Sequence, residues 1–255
     1  MESIFHSILL ITGGFIAGMI NVIAGAGSLV TLPILIGLGL PPGVANGTNR
    51  ISIILQDLSA TFKFLKSKRL PIKEALILSI PTLIGGLIGA LLASNIGDRL
   101  LNIIIMILLC IMIVYVIWQP QNMSAKTTNR PFRMDILTLV VFLTIGFYAG
   151  FIQAAATYLW FAALLWRLKI DMITADAIKI FLNLIVSPIA LIIFIIYHEV
   201  IFTDGILLGI GSFAGGWYGA KAATHWSPKF IRNIMIVILV VSAVYMLFFK
   251  ILHLF

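Results

Sequence analysis

Charge is what this chain has least of. Of its 255 residues only 10% are Asp, Glu, Lys or Arg, while 61% are hydrophobic, and the mean hydropathy is +1.14. Soluble domains carry about 25% charged residues against about 45–50% apolar ones, so a water-soluble fold is excluded. Cysteine is nearly absent. The single one, Cys110, lies in the apolar run 100–118 and can form neither an internal disulfide nor a cysteine metal cage; it reads as a small buried hydrophobe. Histidine is scarce too: His6, His198, His225 and His253 sit near segment ends and never pair at ligand spacing, as interfacial residues would. No polar stretch is long enough for a separate catalytic domain. No G-x-x-x-x-G-K-S/T loop is present for nucleotide hydrolysis, so any ATP-driven step would need a partner chain. Nothing in the pattern asks for a cofactor or a metal.

What is there is apolar sequence in helix-length pieces. Hydrocarbon about 30 Å thick needs roughly 20 apolar residues per helix, and hydropathy gives ten candidate segments: 4–23, 28–39, 47–66, 74–94, 100–118, 135–155, 156–168, 174–197, 204–222 and 229–252. The fold class expected is all-α, a polytopic transmembrane bundle. Segments two and seven are short and follow small residues, as half-helices or re-entrant pieces do where backbone lines a cavity. Residues 1–10 lack Lys, Arg and a small-residue cleavage site, so the start reads as an uncleaved first helix.

The net charge of +8 has a membrane explanation that needs no nucleic acid. With ten crossings, 13 of the 17 basic residues fall on one face, among them Lys63, Lys66, Lys68, Arg69, Lys73, Lys126, Arg130, Arg133, Arg167 and Lys169. The positive-inside rule makes that face cytoplasmic, which places both termini outside. The stretch 119–133, rich in Ser, Thr, Asn and Pro, reads as a cytoplasmic linker. It divides the chain into a first repeat (1–120), a linker (121–133) and a second repeat (134–255).

The two halves resemble each other. "GFIAGMIN" (14–21) matches "GFYAGFIQ" (146–153), "GGLIGA" (85–90) matches "GGWYGA" (215–220), and "ANGTN" (45–49) falls on "ADAIK" (175–179). Equivalent loops carry opposite charge bias, since 63–73 is basic and its counterpart near 198–204 is acidic. Two five-helix repeats of inverted orientation produce this pattern, and such repeats typify secondary transporters with a midplane site at Gly-interrupted helices.

Two places could touch a small solute. In "MINVIAGAGSLVTLP" (19–33), Asn21, Gly25, Gly27 and Ser28 surround a helix restart whose free N–H groups would suit an anion. Close helix packing by small residues is the bland alternative. Gln153 and Thr157 are the polar candidates in the equivalent second-half stretch. The second place is the pair of helix starts "ANGTNR" and "TADAIK", which supply Thr48, Asn49, Arg50 and Lys179, with Asn183 one turn on. Charges inside membrane segments are functional by default, although both cations lie close enough to helix starts to snorkel. Asp57, seven residues after Arg50 on the same face, could carry a proton or simply neutralise Arg50. The glycines of "GGLIGA" and "GGWYGA" read as close-crossing sites.

These motifs, in this order and twice over, resemble the TauE/SafE family, the sulfite-exporter-like transporters of bacteria and archaea. The resemblance covers nearly the whole chain. It implies a multi-pass protein of a prokaryotic plasma membrane that exports a small anion such as sulfite, sulfoacetate or another organosulfonate, with no enzymatic activity. It touches Asn49, Arg50 and Lys179 as positions in the matching motif. The family's glycines are thinned at Asn21 and Ala24 and nearly lost over 153–157. A membrane-embedded assembly subunit, or a membrane enzyme, is the rival reading; Asp57 alone stands as an intramembrane acid for chemistry. Oligomeric state is not legible.

Overall fold

The computed structural model describes residues 2–24, 27–105, 107, 111, 134–154 and 156–222. The linker 119–133, Gly25, Cys110, His225, His253, most of the fifth segment and the tenth segment lie outside the described residues. The named elements are helices: α1 (Glu2–Ala24), α2 (Ser28–Gly37), α3 (Pro42–Lys66), α4 (Ile72–Ala93), α5 (Ile136–Phe151), α6 (Ala156–Ala162, continuing as a π-turn over Ala163–Arg167), α7 (Met172–Ile196) and α8 (Phe202–Ala222). Residues 98–105 are also helical.

Three helices have the length and apolar composition of a membrane span, within Ile4–Ile23, Ile72–Ala93 and Met172–Ile196. The distribution of side chains is that of a protein solvated by hydrocarbon. Leu76, Ile80, Ile84 and Ile88 form an exposed apolar stripe on α4, as do Ile206, Ile210 and Phe213 on α8. Asn46, Thr48, Asn49, Arg50, Gln56 and Asp57 of α3 are buried. Water would reward the opposite arrangement. The protein is therefore multi-pass and membrane-embedded.

Helix limits follow local chemistry. α3 begins at Pro42, five residues before the start that hydropathy suggests, because proline suits the first helical turn and two glycines let that turn dock. A Cβ on Gly47 would lie 2.1 Å from the Glu199 carbonyl oxygen. Asp171 caps α7 by accepting from the Thr174 amide at 3.1 Å, and Asp135 caps α5 by accepting from the Thr138 amide at 2.9 Å. α5 stops at Phe151, earlier than the apolar run suggests, because Gln153 takes a left-handed backbone (φ 65°) that few non-glycine residues adopt. α2, with ten residues, is about 15 Å long at 1.5 Å per residue and covers half of a hydrocarbon core. α6 with its π-turn is similarly short.

Among the described helices, two of the closest crossings join one half of the chain to the other. α1 lies along α8 and α5 lies along α4. Gly14 and Gly18 face the Leu208 and Ser212 carbonyls, and Gly211 and Gly215 return the contact to Ile11 and Phe15. Gly85 and Gly89 face Leu143 and Phe147, while Gly146 and Gly150 face Thr82 and Gly86. At every one of these glycines a Cβ would sit within 2.5 Å of a carbonyl oxygen. The "GGLIGA" and "GGWYGA" motifs thus make the close crossings expected of them. Hydroxyls add polar contacts: Ser52 of α3 meets Ser212 of α8 at 2.6 Å, and Ser212 donates to the Gly14 carbonyl at 3.0 Å.

Candidate functional site

The polar residues converge where two helices are interrupted. One interruption separates α1 from α2, and the other separates α5 from α6. Between them run α3 and α7, whose buried faces carry the charges.

Arg50 sits two turns inside α3 and is fully buried. A helix ending within a membrane strands its last carbonyls, and here side chains of α3 collect them. Arg50 Nη1 donates to the Ala149 carbonyl at 2.8 Å and Nη2 to the Gly150 carbonyl at 2.8 Å. Asn46 Nδ2 donates to the Phe151 carbonyl at 2.8 Å. A cation at a helix C-terminus also opposes the negative end of its dipole. Nη1 donates further to Gln153 Oε1 and Nη2 reaches Asn46 Oδ1 at 3.4 Å, while the Phe194 ring lies 5.4 Å from the guanidinium carbon. Of the guanidinium nitrogens, Nε has no partner among the described residues.

From Gln153 a chain of amides returns to α3. Gln153 Nε2 donates to Asn183 Oδ1 at 2.6 Å and lies 3.4 Å from the Ser187 hydroxyl. Asn183 Nδ2 donates to Asp57 Oδ2 at 2.6 Å, and Gln56 Nε2 donates to Asp57 Oδ1 at 2.7 Å. Arg50 and Asp57, on one face of one helix, are thus joined through residues of the other half rather than by an ion pair.

Lys179 precedes Asn183 by one turn on α7. It pairs with Asp176 one turn earlier on α7, reaches the Val22 carbonyl at the end of α1 at 3.4 Å and lies 5.0 Å from the Phe161 ring centre. Near that end of α1, Asn21 Oδ1 accepts from the Gly27 amide at 3.1 Å. Asn49 Nδ2 donates to the Ser28 hydroxyl at 3.3 Å, joining α3 to the first turn of α2, and Asn49 Oδ1 is buried with no partner among the described residues. Four of the buried charges among the described residues, Arg50, Lys179, Asp57 and Asp176, lie around these interruptions and sum to zero when all are ionised, which limits the cost of holding them away from water. Arg50 is thus held by backbone and amide oxygens, and Lys179 by the Asp176 carboxylate and a backbone oxygen.

A model of the family described as "Sulfite exporter TauE/SafE" matches residues 10–246. The chain belongs to the TauE/SafE family. Among its relatives, "Probable membrane transporter protein ORF9" of Sinorhizobium sp is 28% identical over 95% of this chain and 93% of its own length. "Probable membrane transporter protein YfcA" of Escherichia coli K12 is 27% identical over 91% and 86%, and "Probable membrane transporter protein YunE" of Bacillus subtilis is 24% identical over 91% and 94%. No solved structure matches the chain significantly. Family and relatives make this a membrane transporter.

In this TauE/SafE protein the structure brings Arg50, Gln153, Asn183 and Asp57 into one network and Asn21, Gly27, Ser28 and Asn49 into a second beside Lys179. Thr48 stands apart from both. Its hydroxyl accepts from the Ile201 amide at 2.9 Å and fastens the loop before α8. Thr157 is buried in the first turn of α6. Snorkelling is overturned for both cations, since Arg50 is 0% and Lys179 2% exposed. Sequence reasoning passed over Asn46, Gln56, Asp176 and Ser187. Three of them lie three or four residues from a named candidate, the spacing that stacks side chains on one helix face, and Gln56 adjoins Asp57.

Proposed function

We propose that this protein is a secondary transporter that exports a small anion, sulfite or an organosulfonate such as sulfoacetate, by alternating access between two inverted five-helix repeats. The observation that carries the reading is the placement of Arg50 and Lys179, two buried cations, at the two helix interruptions where the halves meet. Supporting the repeat is the equivalence of the close crossings: α1 on α8 and α5 on α4 are each a first helix of one half on a fourth helix of the other. Substrate would be handled by Asn21, Gly25, Gly27, Ser28, Asn49, Arg50, Gln153, Thr157, Lys179 and Asn183, with Asp57 as the coupling group. The repeats occupy 1–120 and 134–255, the linker is cytoplasmic, both termini face outward, and the membrane is the plasma membrane of a prokaryote.

Purified protein in liposomes tests this directly, with uptake of sulfite, sulfoacetate and a cation control compared among wild type, Arg50→Ala and Lys179→Ala. Anion flux in wild type that is lost in both variants, with their gel-filtration profiles intact, is the expected result. If wild type moves no anion, the transport reading loses its substrate class and an assembly role moves ahead.

A further inference from the structure

The chain Arg50–Gln153–Asn183–Asp57 has a direction. Nη1 of Arg50 donates to Gln153, Gln153 to Asn183, and Asn183 to Asp57. An ionised carboxylate can only accept, whereas an amide donates at one end and accepts at the other. Asp57 as a carboxylate therefore fixes the orientation of both amides, and Gln153 must present its oxygen to Arg50. A protonated Asp57 carries a donor of its own. The amides can then turn over, Asp57 donating to Asn183 Oδ1 and Asn183 Nδ2 to Gln153 Oε1. That turns Gln153 Nε2 toward Arg50, donor against donor, and the bond to Nη1 is lost.

We propose that Asp57 is a proton-binding site wired through Asn183 and Gln153 to Arg50, so that taking up a proton frees guanidinium N–H groups for the anion. The inference rests on the transport reading and adds its coupling rule. Proton and anion each favour the binding of the other, because linkage between two sites is reciprocal, and they cross together in the same direction. The proton arrives from water and occupies one carboxyl oxygen of Asp57; no other bond is made or broken.

The surroundings leave Asp57 as the group that switches. α7 faces it with Lys179 and Asp176, which are paired with each other. α1 has no charged residue between His6 and its end, α2 has none, and α8 carries Asp204 and Lys221 only near its two ends. Arg50, on its own helix, is the far end of the relay. Gln153 is suited to be the moving part, since it lies in the irregular backbone between α5 and α6 at a left-handed φ of 65°.

The test needs no substrate. Arginine-directed labelling by phenylglyoxal, read by peptide mass, gives the ratio of Arg50 to exposed Arg69 in the same molecules, so the reagent's own pH dependence cancels. In wild type the ratio should rise several-fold on acidification, and a one-proton switch permits up to about tenfold per pH unit. Asp57→Asn and Asn183→Leu should both show the raised ratio at every pH, because each unpins Gln153. A flat wild-type ratio overturns the relay. So does a wild-type pH response in Asn183→Leu, which would mean that Asp57 acts by its charge alone. Sulfite binding to wild type, measured alongside, separates the two ideas. A labelling switch without sulfite binding sustains the relay and removes the substrate; sulfite binding with a flat ratio does the reverse.

Discussion

A methyl group at Gly89 should split the α4–α5 crossing. The Cβ would lie 1.9 Å from the Phe147 carbonyl oxygen and 2.9 Å from the Phe151 amide nitrogen. Both obstacles are backbone, so no rotamer change relieves them and the helices must move apart by about 1 Å or more to reach ordinary van der Waals contact. Overpacking of this kind costs about 1–3 kcal/mol. For a chain of this size that corresponds to a fall in melting temperature of roughly 2–12 °C. The assay is thermal unfolding of detergent-purified Gly89→Ala, with the lipid-facing neighbour Ile88→Leu as control. Gly150 faces the same seam, with a Cβ 2.0 Å from the Gly86 oxygen, so Gly150→Ala combined with Gly89→Ala should cost less than their sum. Gly215→Ala, on the other crossing, should add in full because it shares no partner with Gly89. A Gly89→Ala protein that melts with the control refutes the crossing.

Three further outcomes follow from contacts already described. Thr48→Val removes the acceptor of the Ile201 amide and should lower stability by about 1–2 kcal/mol in the same melting assay, with the substrate affinity of the folded protein unchanged. Arg50→Lys keeps the charge but not the planar fork that reaches the oxygens of three backbone and side-chain neighbours on α5 and beyond; flux below about a tenth of wild type is expected in liposomes. Asp135, at the mouth of α5, is held below the ordinary carboxylate range by the Thr138 hydroxyl and amide and by Arg167. Its depressed folded value means that the stability it gives is present above the ordinary range and lost as pH falls through and below it. The melting gap between wild type and Asp135→Asn should therefore close on acidification below about pH 4 and stay constant near neutrality.

The bundle was legible because its rules are local. Apolar runs set α1, α4, α7 and α8 to within a few residues, and the glycine motifs marked the crossings before any partner was known. The end of α5 was not legible: residues 146–155 are uniformly apolar apart from Gln153 and Tyr148, and hydropathy does not register a left-handed turn. Depth was misjudged as well. Hydropathy starts α3 at 47 and leaves Arg50 near a helix start, whereas the helix begins at Pro42 and sets Arg50 two turns in. The site residues were mostly named, but their partners were not, since the Ala149 and Gly150 carbonyls lie about a hundred positions from Arg50 and no side-chain pattern announces a carbonyl. Asn46 and Asp176 were within reach of an i±3/4 search around each cation.

Carbonyls stranded inside a bilayer are where water gathers, and a file of water conducts protons. Arg50 and Asn46 occupy the oxygens of Ala149, Gly150 and Phe151, so the break in α5 doubles as a seal. Liposomes carrying Asn46→Ala should lose a proton gradient faster than wild type with no substrate present, and equally tight vesicles would mean that something else keeps this depth dry.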